Sequence, residues 1–272
     1  MKKDYSPRVE SMQHLLVFII GPAGSGKSTF TSSFKDWLLS QNVPVSTINM
    51  DPAVESLEYD PDIDIREFVF VRDVLEKYDL GPNGAIIASL DLAVEYLDKV
   101  TDQVNELPEG YVLVDTPGQM EIFAYRQSGR YIIKELCPVD RKCSAVFLID
   151  ATICMEPYDF LSQIFLSSSV YYRFRVPLLA LINKIDLLDQ KEREKIAKWV
   201  SEKDVLENAL EGIESVDKDF TRKIARMLSE YMEIVPFIPV SSKLSENFEE
   251  VYYYLHQIYS GGEDFEKEEL EE

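Results

Sequence analysis

Histidine and cysteine are scarce in this chain, and no apolar run is long. The only histidines are His14 and His256, and the three cysteines, Cys137, Cys143 and Cys154, form no C-x-x-C pair. That inventory nearly excludes a zinc site. With an odd count and no export signal, the cysteines read as reduced thiols of a cytoplasmic protein. The longest apolar run, Leu15 to Ile20, has six residues, whereas a membrane span needs about twenty. The first residues, MKKDYSPRVESMQ, hold two lysines but no apolar core or cleavage site of the secretory type. Positive charge is also in deficit: 28 Lys and Arg against 49 Asp and Glu give a net charge of −21. Such a chain repels bulk nucleic acid and anionic lipid, so neither direct nucleic-acid binding nor membrane binding is expected, and any bound nucleotide needs a local site.

What is present is a globular composition, 46% hydrophobic and 28% charged, over 272 residues. The length corresponds to about 1.8 average domains, and it also suits one large α/β unit. The runs Leu15–Ile20, Val45–Met50, Tyr111–Asp115, Ala145–Asp150, Leu178–Asn183 and Val235–Val240 are almost unbroken in hydrophobicity. Continuous rather than alternating runs mark parallel strands covered on both faces. Helical patterns lie between them at 28–40, 67–78, 85–104, 157–173 and 191–201. The expected fold is therefore a doubly wound α/β domain with a mostly parallel sheet over 14–259. Two helical insertions, about 52–104 and about 191–233, exceed what a crossover needs. The tail 260–272 is acidic, with seven acids and one lysine, and reads as a solvated end.

After the first strand comes Gly21-Pro22-Ala23-Gly24-Ser25-Gly26-Lys27-Ser28-Thr29. This is the pattern G-x-x-x-x-G-K-S/T between a strand and a helix, a phosphate-binding P-loop. Its glycines let backbone N–H groups converge on phosphate oxygens, and the helix that follows adds a positive end. Lys27 is expected to bridge β- and γ-phosphate oxygens, and Ser28 to ligate Mg²⁺. Asp115-Thr116-Pro117-Gly118-Gln119 ends the third apolar run. Asp115 is placed to hold Mg²⁺ through water, Gly118 N–H to sense the γ-phosphate, and Gln119 to orient water. Asn183-Lys184-Ile185-Asp186 follows another run. Asp186 suits the N1–H and 2-amino donors of guanine, which adenine does not offer together. Asn183 would brace the P-loop, the Lys184 stem would cover the base, and Ser241-Ser242-Lys243 would approach guanine O6. Asp51, after the second run, is a carboxylate near Mg²⁺ or the attacking water, or else a turn residue before Pro52.

The set GPAGSGKST, NMDPA, Gly81-Pro82-Asn83, DTPGQ and NKID, in this order, resembles the GPN-loop GTPases, P-loop proteins of the SIMIBI class. The resemblance runs from about His14 to Tyr259, and the chain looks like a short, archaeal-type member. It implies hydrolysis of GTP to GDP and phosphate with Mg²⁺, by a homodimer acting as a switch or assembly factor. It also implies that the Gly81–Asn83 loop of each subunit reaches its neighbour's site. Asn83 would there face phosphate oxygens and the nucleophilic water, and Pro82 would stiffen the loop. Asp51 matches the family aspartate that polarises this water, while the role of Gln119 stays open. The client is not legible; RNA polymerase assembly is implied only faintly. Three other readings remain: a GTP-binding scaffold without turnover, an ATPase of the deviant Walker-A type, and a small-molecule kinase. The second lacks its extra P-loop lysine, and the third an arginine-rich lid. Arg126, Arg130 and Arg173 are either cations supporting the site or a solvated face.

Overall fold

The computed structural model describes residues 14–211 and 218–260; the acidic tail beyond Ser260 lies outside the described residues. Among the described residues seven strands form one sheet: β1 His14–Ile20, β2 Val45–Asn49, β3 Ile63–Asp64, β4 Gly110–Asp115, β5 Lys142–Asp150, β6 Leu178–Asn183 and β7 Phe237–Pro239. Their order is β3-β2-β4-β1-β5-β6-β7, and every pairing is parallel. The helices are α1 Lys27–Ser40, α2 Val71–Tyr78, α3 Pro82–Ala93, α4 Leu97–Glu106, α5 Met120–Tyr125, α6 Gln127–Leu136 and α7 Pro157–Phe174. They continue as α8 Gln190–Ser201, α9 Lys203–Glu211, α10 Lys218–Ile234 and α11 Phe248–Ser260.

The two-residue period of β1 divides the core. Leu15, Val17 and Ile19 face Phe30, Phe34 and Leu38 of α1 and Phe248, Val251 and Leu255 of α11. Leu16, Phe18 and Ile20 face the opposite layer, with Val100 and Val104 of α4, Ile132 of α6 and Phe160 of α7. Because both faces are buried, each central strand reads as a solid apolar run. No helix among the described residues is long and apolar enough to cross a membrane.

The helical elaboration near the chain's end is joined to the body more closely than its charge suggests. Ile196 and Trp199 of α8, Leu206 and Leu210 of α9 and Leu228 of α10 enter the core. The Tyr231 and Ser167 hydroxyls tie α10 to α7 at 2.9 Å.

Four expectations are corrected. The 67–78 helix begins at Val71, since Asp64 instead caps a 3-10 turn over Ile65–Glu67 by accepting from Arg66 N. The 85–104 helix starts at Pro82 and is split into α3 and α4 by a 3-10 turn at Val94–Tyr96. Gly81-Pro82-Asn83 is therefore a helix start, with Pro82 in the first turn, rather than a free loop. Finally, the cysteines are not all thiols. Cys137 at the end of α6 and Cys143 in β5 form a disulfide with Cα atoms 6.1 Å apart, and only Cys154 is free. The short return from α6 into β5 brings the two within bridging reach, which no spacing motif announced.

Candidate nucleotide site

The carboxyl ends of β1, β2, β4, β5 and β6 gather the motif residues around a cleft of about 450 Å³. It lies beside the adjacent strands β1 and β4, from which the chain runs to opposite sides of the sheet, toward β2 from β1 and toward β5 from β4, the usual crevice of such sheets. A larger cavity of about 820 Å³ lies elsewhere, and among the described residues Arg175 is the one charged residue in its lining. It lacks the phosphate donors of the smaller cleft, so size does not mark this site.

The P-loop is set by backbone geometry. Gly26 holds φ at 95° as the residue capping α1, and a Cβ there would stand 2.6 Å from Asn183 Nδ2. Only glycine meets both demands. The Asn183 side chain clasps two loops: Nδ2 donates to Ser25 O at 2.9 Å, while Oδ1 accepts from Ser242 N at 3.0 Å and Ser242 Oγ at 2.8 Å. Ser241 Oγ donates to Asp186 Oδ1 at 2.6 Å. Lys184 Nζ donates to Gly24 O and to Asp150 Oδ2, each at 2.6 Å. Asn183, Lys184, Asp186, Ser241 and Ser242 thus form one network with the P-loop. Within it, Ser241 and Ser242 orient the Asn-Lys-x-Asp residues.

Lys27 is buried, and its Nζ donates to Gly21 O, Pro22 O and Gly118 O at 2.9, 3.1 and 3.0 Å. Burial pulls its pKa down, and the nearby Asp115, Asp51 and Glu121 carboxylates oppose that pull. Asp51 joins the second strand's loop to the fourth's. Its Oδ1 accepts from Ala53 N at 2.9 Å and its Oδ2 from Gly118 N at 3.0 Å. Both backbone groups of Gly118 are therefore engaged.

Asp115 is 2% exposed. Burial pushes its carboxyl up to about 6, with hydrogen bonds from Ser28 and Tyr59 and the charge of Lys27 opposing the rise. Tyr59 Oη donates to Oδ2 at 3.1 Å, while Oδ1 is buried with no hydrogen-bond partner among the described residues. An unmatched buried carboxylate oxygen beside Ser28 is what a hard cation requires, so the donor set fits Mg²⁺. Ser28 and Thr29 sit at the head of α1 in the cleft lining.

The remaining expected residues lie apart. Gln119 is exposed at the head of α5. Gly81, Pro82 and Asn83 are exposed at the head of α3 and contribute nothing to the cleft lining.

Three residues went unread in the sequence. Asp150 ends β5 and pairs with Lys184; a carboxylate closing a parallel strand was the available signal, the same one that marks Asp115. Glu58 accepts from Thr29 Oγ1 at 3.1 Å, and Tyr59 reaches Asp115 across 56 positions of sequence. Neither carries a local pattern.

The family model that matches residues 19–261 is described as "Conserved hypothetical ATP binding protein". GPN-loop GTPase 1 of Dictyostelium discoideum is 33% identical over 245 residues, covering 88% of this chain. The chain spans only 61% of that relative's length. A GPN-loop GTPase of Pyrococcus abyssi is 32% identical over 248 residues, 90% of this chain and 97% of that protein. The crystal structure of an apo-form GTPase from Pyrococcus abyssi superposes with a TM-score of 0.81, at 32% identity, over 90% of this chain and 97% of that one.

Proposed function

This chain belongs to the GPN-loop GTPase family, and we propose that it hydrolyses GTP to GDP and phosphate as a Mg²⁺-dependent homodimer. The observation that carries the guanine reading is the network joining Asp186, Ser241, Ser242 and Asn183 to the P-loop carbonyl of Ser25. It ties the Asp186 carboxylate, by way of Ser241 and the neighbouring Ser242, to Asn183 and the P-loop. A guanine offers that carboxylate two N–H donors; an adenine leaves it unpaired. The word ATP in the family description therefore does not decide the base.

In this reading Gly24, Ser25, Gly26, Lys27 and Thr29 line the phosphate path. Ser28 and Asp115 hold Mg²⁺, which neutralises charge on the phosphate oxygens. Asp51 orients the attacking water, and Gly118 N–H meets the γ-phosphate. Asn83 acts across the dimer. Its support is position: the Gly81–Asn83 tip is exposed and absent from its own cleft. A neutral amide at a helix start brings donors without a charge that would need burying. The unit doing this runs from 14 to 259 and works in the cytoplasm as a switch or assembly factor.

Mixing two inactive variants tests the shared site. Lys27→Ala removes a phosphate ligand and Asn83→Ala the trans amide, so each alone should lose most single-turnover hydrolysis. Random dimers of the mixture contain one intact site in half of the molecules, so about a quarter of wild-type activity should return. No recovery, or a fully active Asn83→Ala protein, defeats the proposal.

A further inference from the structure

A third cavity, of about 270 Å³, lies between α6 and the end of α7, and among the described residues its lining includes Arg130, Lys134, Arg173 and Arg175 but no acidic residue. Four cations facing one small cavity are unexpected in a chain of net charge −21, because they repel one another where carboxylates are plentiful. Two have a local account. Lys134 and Arg173 occupy the last turns of α6 and α7, where positive charge complements the carbonyl ends. Arg130 stands one turn earlier and Arg175 beyond the end of α7, so that account does not reach them. Neither these two nor Lys134 has an ion-pair partner among the described residues.

Arg173 supplies the second observation. One arm is used, with Nη2 donating to Tyr125 O at 2.7 Å. Its Nε is buried with no hydrogen-bond partner among the described residues, so this guanidinium is left short of acceptors beside a cavity whose described lining holds no carboxylate. The site is also remote from the nucleotide cleft. It is closed by Val176, just before β6 begins at Leu178, and so lies at the opposite ends of the strands. The same Arg173 arm holds the junction between α5 and α6, which follows the Asp115–Gln119 loop.

We propose that this cavity is an anion site, separate from the nucleotide cleft, for a small oxyanion of the phosphate class. Its volume falls just below the usual range for drug-sized ligands, about 300–1,000 Å³. Three guanidinium groups suit the paired oxygens of a dianion better than a single carboxylate.

The probe is inorganic phosphate, titrated calorimetrically into the full chain with the nucleotide cleft saturated by GDP and ionic strength held constant. Wild-type protein should bind it in that state. Arg130→Gln and Arg175→Gln should each weaken binding at least tenfold with GDP affinity unchanged, while Arg175→Lys should retain part of it. Arg226→Gln, on the outer face of α10, should match wild type. Phosphate binding that disappears once GDP fills the cleft would assign it to the P-loop and overturn the proposal, as would equal affinity in the glutamine variants or no binding by wild type.

Discussion

Replacing Asn183 by alanine tests whether the two halves of the nucleotide cleft stand as one unit. The side chain is 1% exposed and makes three hydrogen bonds of 2.8 to 3.0 Å. Its orientation is fixed by its partners: Ser25 O can only accept and Ser242 N can only donate. Each bond contributes about 1 kcal/mol net, and partners left buried without a mate cost about 1–3 kcal/mol apiece, less where water from the cleft reaches them. The expected loss is therefore about 3–5 kcal/mol, a large part of the roughly 5–15 kcal/mol that holds a typical domain. Urea unfolding of the nucleotide-free protein reads it directly. Asn183→Asp should fare no better, since it keeps both bonds from Ser242 but sets a carboxylate oxygen against Ser25 O. A loss under about 1 kcal/mol in the alanine variant would mean that the P-loop keeps its shape unaided, and the coupling argument would fail.

Three further outcomes are expected. Asp115 has its carboxyl raised from 3.8 to about 6, so the folded chain binds an extra proton between those values and stability falls as pH rises through them; the cost above that window is about 3 kcal/mol. Asp115→Asn should thus raise the urea midpoint at pH 7.5, lose that advantage near pH 4 and abolish Mg²⁺-dependent turnover; a variant less stable than wild type at pH 7.5 contradicts this. Reducing the Cys137–Cys143 bridge, which closes a short loop, should cost about 2 kcal/mol, and an unfolding midpoint indifferent to reductant would count against the pairing. Asp186→Asn should leave the fold intact but erode discrimination between GTP and ATP in competition binding, and undiminished selectivity would move base recognition elsewhere.

The legible parts of this molecule are those in which chemistry or burial constrains neighbouring residues. The P-loop, Asp115–Gln119 and Asn183–Asp186 were readable because motifs that serve phosphate, metal and base contacts keep fixed spacings. The strands were readable because both faces of the sheet are covered. By contrast, β3 is two residues long, paired with Ile48 and Asn49, too short for any period to register. In α11 the aromatic run Tyr252-Tyr253-Tyr254 obscures a helix whose inward face is Phe248, Val251 and Leu255. The contact of Tyr59 with Asp115 and the bridge of Cys137 to Cys143 depend on the fold bringing segments together. Helix α3 shows the limit from the other side. The tripeptide was visible, but Gly-Pro-Asn suits both a turn and the first turn of a helix.

Gly118 ties the proposed chemistry to the observed contacts. Its N–H is held by Asp51 and its carbonyl by Lys27, both at 3.0 Å. On the proposed function, a γ-phosphate needs that same N–H and that same ammonium, so it must take them from groups already using them. An incoming triphosphate therefore releases two charge-assisted bonds, each worth about 1.5–3 kcal/mol, and replaces them with its own. The exchange frees one Asp51 oxygen, the group assigned to the attacking water, while Ala53 N still holds the other. A diphosphate has no γ-oxygens to compete for Gly118 N–H and leaves the Asp51 contact intact. On that reading the second strand's loop and the fourth's would be joined when the γ-phosphate is absent, as Asp51 and Gly118 are here, and parted when it is bound. That alternative is what a two-state switch requires, because the ligand shifts the balance only through contacts that differ between the states.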